Sequence, residues 1–168
     1  MNRKFLKITI VLFSSLLGGC YKPIDREIVE FRKTLLLQSE PANAVSLTEA
    51  KAALVDESQI VLVGRIGLGA LSPFEKGIAT FVLSEAPEDH GDGKNHDASE
   101  CPFCRRKSAE APLAHVEFQH ENGKTIPIGA DNLFDIKQGQ VVVVLGRGQY
   151  DKNTDTLMIR GTSLFVRN

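Results

Sequence analysis

Catalytic signatures are scarce in this chain. No serine stands in a nucleophile-elbow pattern. Gly64-Arg65-Ile66-Gly67-Leu68-Gly69 has the wrong spacing for a dinucleotide fingerprint, and Pro73 follows where a helix would have to start. Glu85, Glu88 and Asp89 are acidic neighbours without an evident partner base or oxyanion donor. Basic charge is not in excess: 20 Lys and Arg face 21 Asp and Glu. That balance argues against nucleic-acid binding, which leans on basic surface. The apolar run at residues 8–17 is too short to cross a bilayer as a mature helix. Cysteine occurs at only three positions, 20, 101 and 104. These absences point away from an enzyme and towards a binding or scaffold protein.

What is present begins at the N-terminus. Arg3, Lys4 and Lys7 precede the apolar run, and Leu17-Gly18-Gly19-Cys20 follows it. Basic start, short apolar core and small residues before a cysteine resemble the bacterial lipoprotein signal peptide. The resemblance covers residues 1–20 and implies cleavage before Cys20, with Cys20 carrying the lipid. Two or three acyl chains would hold the protein stably on a membrane. The implied location is the bacterial cell envelope, facing the periplasm or the exterior. Cleavage removes three basic residues and no acidic one, leaving 17 basic against 21 acidic residues.

Residues 20–57 are expected to form a lipidated tether and N-terminal helices, and residues 58–168 one further domain. Ile24, Ile28, Phe31 and Leu35 recur at helical spacing, with charges on the other face, and Pro41 is the expected stop. Ser46-Leu47-Thr48-Glu49 is a capping box that opens a second helix over residues 47–55. From Gln59 the chain is β-rich. Strands are expected at 60–66, with a bend at Gly64, and at 78–83, 113–120, 140–145 and 156–166, the last interrupted near Gly161. Asn122-Gly123 marks a turn. A three-residue loop, 121–123, with glycine left-handed, pairs 118 with 126 and 116 with 128 and keeps the apolar residues together. Residues 131–135 read as a helical turn and 151–155 as a hairpin loop.

The order of these elements resembles an OB-fold, a five-stranded Greek-key barrel. The phrases Val61-Leu62-Val63-Gly64-Arg65-Ile66 and Gly139-Gln140-Val141-Val142-Val143-Val144 resemble first and fourth strands of bacterial OB domains. The haem chaperone of cytochrome c maturation shares this pattern, but its histidine lies near the C-terminus. Here no histidine follows His120, so the haem role does not carry over. The mature chain is more similar to exported bacterial OB-type proteins that share a Gly-Arg-Ile strand, a Cys-Pro-Phe-Cys loop and a Gly-Lys hairpin. That group has no assigned activity to carry over, and the fold alone does not define one.

All four histidines, His90, His96, His115 and His120, fall between residues 90 and 120, with Cys101 and Cys104 among them. The segment 86–112 is longer than an ordinary connection and reads as an insertion between the second and third strands. Two thiolates of a Cys-x-x-Cys pair can converge on one ion when the backbone turns between them. His90, His96, Cys101 and Cys104 then make a two-histidine, two-cysteine set, with His115 and His120 as reserves. Such a set suits zinc first and copper second. Cys-Pro-Phe-Cys also resembles thioredoxin-like redox sites, although a strand–helix setting is missing. The third reading is a structural disulfide, Cys101–Cys104, which the compartment permits. On the plainer view His115 is a solvent-facing strand residue and His120 flanks the hairpin. The expected protein is a membrane-anchored binding module with an unknown protein or small-ligand partner.

Overall fold

The computed structural model describes residues 26–54, 57–86 and 112–167. Its elements are α1 (Arg26–Leu35), α2 (Leu47–Ala53), β1 (Ser58–Ile66), β2 (Thr80–Ser84), β3 (Leu113–Phe118), α3 (Ala130–Phe134), β4 (Val141–Asp151) and β5 (Thr156–Val166). The protein is mainly β, as its alternating apolar runs imply. The five strands form a closed ring in the order β1-β2-β3-β5-β4. Four of the pairings are antiparallel; β3 and β5 run parallel, with Leu113 beside Thr156 and Phe118 beside Gly161. A parallel pair needs a crossover. Here the turn, α3 and β4 supply it.

Alternation decides which side chains enter the ring. Ala114, Val116 and Phe118 of β3 are fully buried, while His115 and Glu117 between them are half-exposed. Phe118 anchors the interior. Its ring lies 4.7 Å from Phe134 and 6.3 Å from Phe81, centroid to centroid. Thr80 is the one buried polar residue among the described residues. α2 starts at the capping box: Ser46 accepts from the Glu49 N–H, and Glu49 accepts from the Ser46 N–H. It packs on β1 and β5 and buries Leu47 and Ala50 completely. α3 ends at Asp135, which adopts the left-handed conformation (φ 55°).

Four local expectations are corrected. α1 stops at Leu35, well before Pro41, because the chain then turns to β5: Leu36 bridges Leu164, and the Leu37 N–H donates to the Leu164 carbonyl at 2.8 Å. β1 does not bend at Gly64 but pairs with β4 on both sides of it. The glycine is there for close approach, since a Cβ would lie 2.9 Å from Leu83 and 3.0 Å from Leu47. β5 runs on through Gly161. A Cβ there would sit 2.6 Å from the Phe118 ring, and the irregularity is instead a bulge in which Thr162 donates its hydroxyl to the Leu145 carbonyl.

The fourth correction concerns the turn after β3. The expected loop forms: the His120 N–H donates to the Lys124 carbonyl, the Ile126 N–H to the Phe118 carbonyl, and Gly123 is left-handed (φ 77°). The pairing of 116 with 128 does not form. Val116 already lies between Phe81 of β2 and Ile159 of β5, so the returning arm has no free edge to follow.

Candidate functional site

The segment 86–112 joins two paired strands, β2 and β3. β2 and β3 pair antiparallel through Leu83 and Ala114, so its two ends leave the ring side by side. The departing end is also tied to α2. The Glu85 carboxylate accepts from the Thr48 N–H at 3.0 Å and from the Thr48 hydroxyl at 2.6 Å. An anion at the first turn of a helix is favourable. Glu85 is therefore engaged structurally; Glu88 and Asp89 lie outside the described residues. So do Cys20, His90, His96, Cys101 and Cys104.

The two reserve histidines are described, and they do not come together. His115 sits on the outer face of β3 between Val82 of β2 and Met158 of β5. Its Nδ1 is buried and has no hydrogen-bond partner among the described residues. His120 lies past the end of β3, where its ring meets Phe31 of α1 edge-on at 5.5 Å. It lines a groove of about 590 Å³ together with Glu30, Phe31, Leu35, Glu121 and Ile126. His115 lines a separate cleft. Among the described residues no group of three or more His, Cys, Asp or Glu converges on one point.

The cleft at His115 has a chemistry that sequence motifs did not reveal. Its volume is about 150 Å³, and Glu57, Glu117, Arg147, Gln149, Met158 and Arg160 contribute to its wall. Arg147 of β4 stands directly opposite Arg160 of β5, and Glu117 stands beside Arg160 on β3. Arg160 pairs with Glu57. Glu117 accepts the Thr125 hydroxyl. Arg147 is exposed and makes no ion pair among the described residues. The signal for this pair was present in the chain: a hairpin closed by Asp151 and Thr156 sets 147 opposite 160.

A second polar cluster ties α2 to the β4–β5 hairpin. The Lys51 ammonium lies 2.7 Å from the Asp155 carboxylate, and the Tyr150 hydroxyl donates to the same oxygen at 2.6 Å. Lys51 also sits over the Tyr150 ring, 5.4 Å from its centroid. The Lys51 hydrogen bond, followed by that of Tyr150, holds Asp155 below the usual carboxylate range. Asp155 in turn pushes Lys51 and Tyr150 upwards. Each member has its partner, so the cluster is a clasp rather than a reactive centre.

Among the described residues no helix is long and apolar enough to cross a membrane. Comparison with known protein families and with characterised proteins returns no match to this chain.

Proposed function

We propose that the chain is a lipid-anchored protein of the bacterial envelope in which an OB-type Greek-key barrel carries a metal-binding insertion. The ring order and the parallel closure of β3 on β5 support the barrel reading. Cys20 is the lipidated residue, and the domain faces the periplasm or the exterior. His90, His96, Cys101 and Cys104 hold one ion, zinc by preference and copper second. Nitrogen and thiolate donors in equal number suit a four-coordinate zinc site of structural type. The metal orders the insertion and presents a surface to a protein or small ligand, without catalysis.

One observation carries this reading. Both free cysteines and two of the four histidines fall within residues 90–104, on an insertion whose ends are held together by the β2–β3 register. A loop gathered at its base loses less entropy on closing around an ion than one with distant ends. His115 and His120 lie apart, so at most one of them serves as a reserve to the set of four.

Elemental mass spectrometry of untagged protein, with a free-thiol count, tests it. About one zinc or copper per chain is expected, absent from a Cys101→Ser/Cys104→Ser variant. Metal-free protein with two oxidised sulfurs would replace this reading with a disulfide-stapled scaffold. Turnover in a disulfide-reductase assay would replace it with a thiol–disulfide protein. The anchor has its own test: a Cys20→Ser variant leaves the membrane fraction.

A further inference from the structure

The cleft on the outer face of β3, β5 and β4 holds two unsatisfied features within one small space. The first is electrostatic. Arg147 and Arg160 are a directly opposed cross-strand pair, an arrangement that like charges disfavour. Glu57 pairs with Arg160 and Glu117 accepts the Thr125 hydroxyl, so the two carboxylates of the wall are engaged while Arg147 has no ion-pair partner among the described residues. The second is a hydrogen-bonding group. His115 lines the same cleft, and its Nδ1 is buried without a partner among the described residues. Buried polar groups nearly always find partners, so an orphan calls for a reason. Gln149 is a further polar group on the wall.

From this arrangement we infer that the cleft is a binding site for a small oxyanion, a phosphate or carboxylate group, held chiefly by Arg147 and Arg160. Guanidinium forks match the oxygen spacing of both groups and bind them through paired charge-assisted hydrogen bonds. An anion between the two arginines turns their repulsion into a shared attraction. The two guanidinium groups weigh against a cation here, although an imidazole and the Met158 thioether both line the wall. Size limits the ligand. A volume of about 150 Å³ is roughly that of five waters at about 30 Å³ each, enough for one such group and a short appendage. Glu57 and Glu117 flank the arginines, which disfavours a long polyanion. No cysteine lines the cleft among the described residues, and the site does not depend on the metal reading.

The test uses the whole chain and its Arg147→Gln variant at constant ionic strength, titrated separately with inorganic phosphate and with acetate. Thermal unfolding and the NMR signals of the His115 ring are followed. Phosphate or acetate is expected to raise the melting temperature and move the His115 signals; the ion with the larger response identifies the ligand source. Arg147→Gln should weaken that binding at least about tenfold, as expected for loss of a charge-assisted contact. Without ligand the same variant should melt about 1–4 °C higher, because the like-charge pair is gone. That gain separates a binding role from a structural one, which would give a loss. Equal responses of the two proteins, or no response to either ion, would overturn the inference. Repeating the titration in Cys101→Ser/Cys104→Ser protein should leave the response unchanged, so its outcome is independent of the metal site.

Discussion

The two faces of β3 are built to opposite rules. Ala114, Val116 and Phe118 turn inward, are fully buried and meet close-packed rings. His115 and Glu117 turn outward, half-exposed, and the Nδ1 of the first has no partner among the described residues. The inner face spares no volume: Gly161 exists because the Phe118 ring occupies the place of a Cβ. The outer face leaves room, and it collects two arginines and two glutamates. Stability is concentrated on one face and recognition on the other, within a strand of six residues.

The sharpest way to break this contrast is Phe118→Ala. It removes a side chain with no exposure and leaves Gly161 facing a void. A loss of about 3–5 kcal/mol is expected from urea denaturation; a loss below about 1 kcal/mol would mean that the interior can collapse. Gly161→Ala tests the same contact from the other side. The added methyl overpacks the ring and should cost about 1–3 kcal/mol, measured in the same way. Away from the core, Ser46→Ala removes one half of the capping box that starts α2. About 1 kcal/mol should be lost, with Ser46→Gly losing less.

The smallest effect is the exposed clasp. Asp155 is held below its ordinary value, so its contribution is present above the normal carboxylate range and is lost as pH falls through the lowered value. Thermal melts of the wild type and Asp155→Asn should therefore differ at neutral pH and converge in acid. Asparagine tolerates the left-handed backbone that Asp155 adopts, so the comparison isolates the charge. A gap that persisted at low pH would show that geometry, not ionisation, holds the hairpin to α2.

Strand positions and their buried faces were legible because period-two alternation and turn residues are local signals. The left-handed glycine at 123 and the pairing of Phe118 with Ile126 followed from face matching alone. What alternation could not supply was the neighbour on the second edge. The parallel approach of β5 to β3 is set by residues far along the chain, and it is what ends the hairpin before Ile128. The same blindness applied to glycine. Gly64 reads as a bend and Gly161 as an interruption in a string of letters, whereas Leu47, Leu83 and Phe118 make them contacts. At the candidate sites, composition points to the histidine and cysteine set, of which only His115 and His120 lie among the described residues. The arginine pair escaped notice because it belongs to no motif and emerges only from register.

Parallel closure also dictates an order of events. Until residues 156–161 have been made and delivered, β3 has one edge without a partner strand and the ring remains an open sheet. An exposed edge is a template for pairing with other chains. β5 is thus the latch of the ring, and non-local pairing of this kind is slow to form. A chain shortened before Thr156 should emerge as a sticky, incompletely enclosed sheet, and the short turn at Asp151–Asp155 becomes a timing element that brings the latch home next to β4.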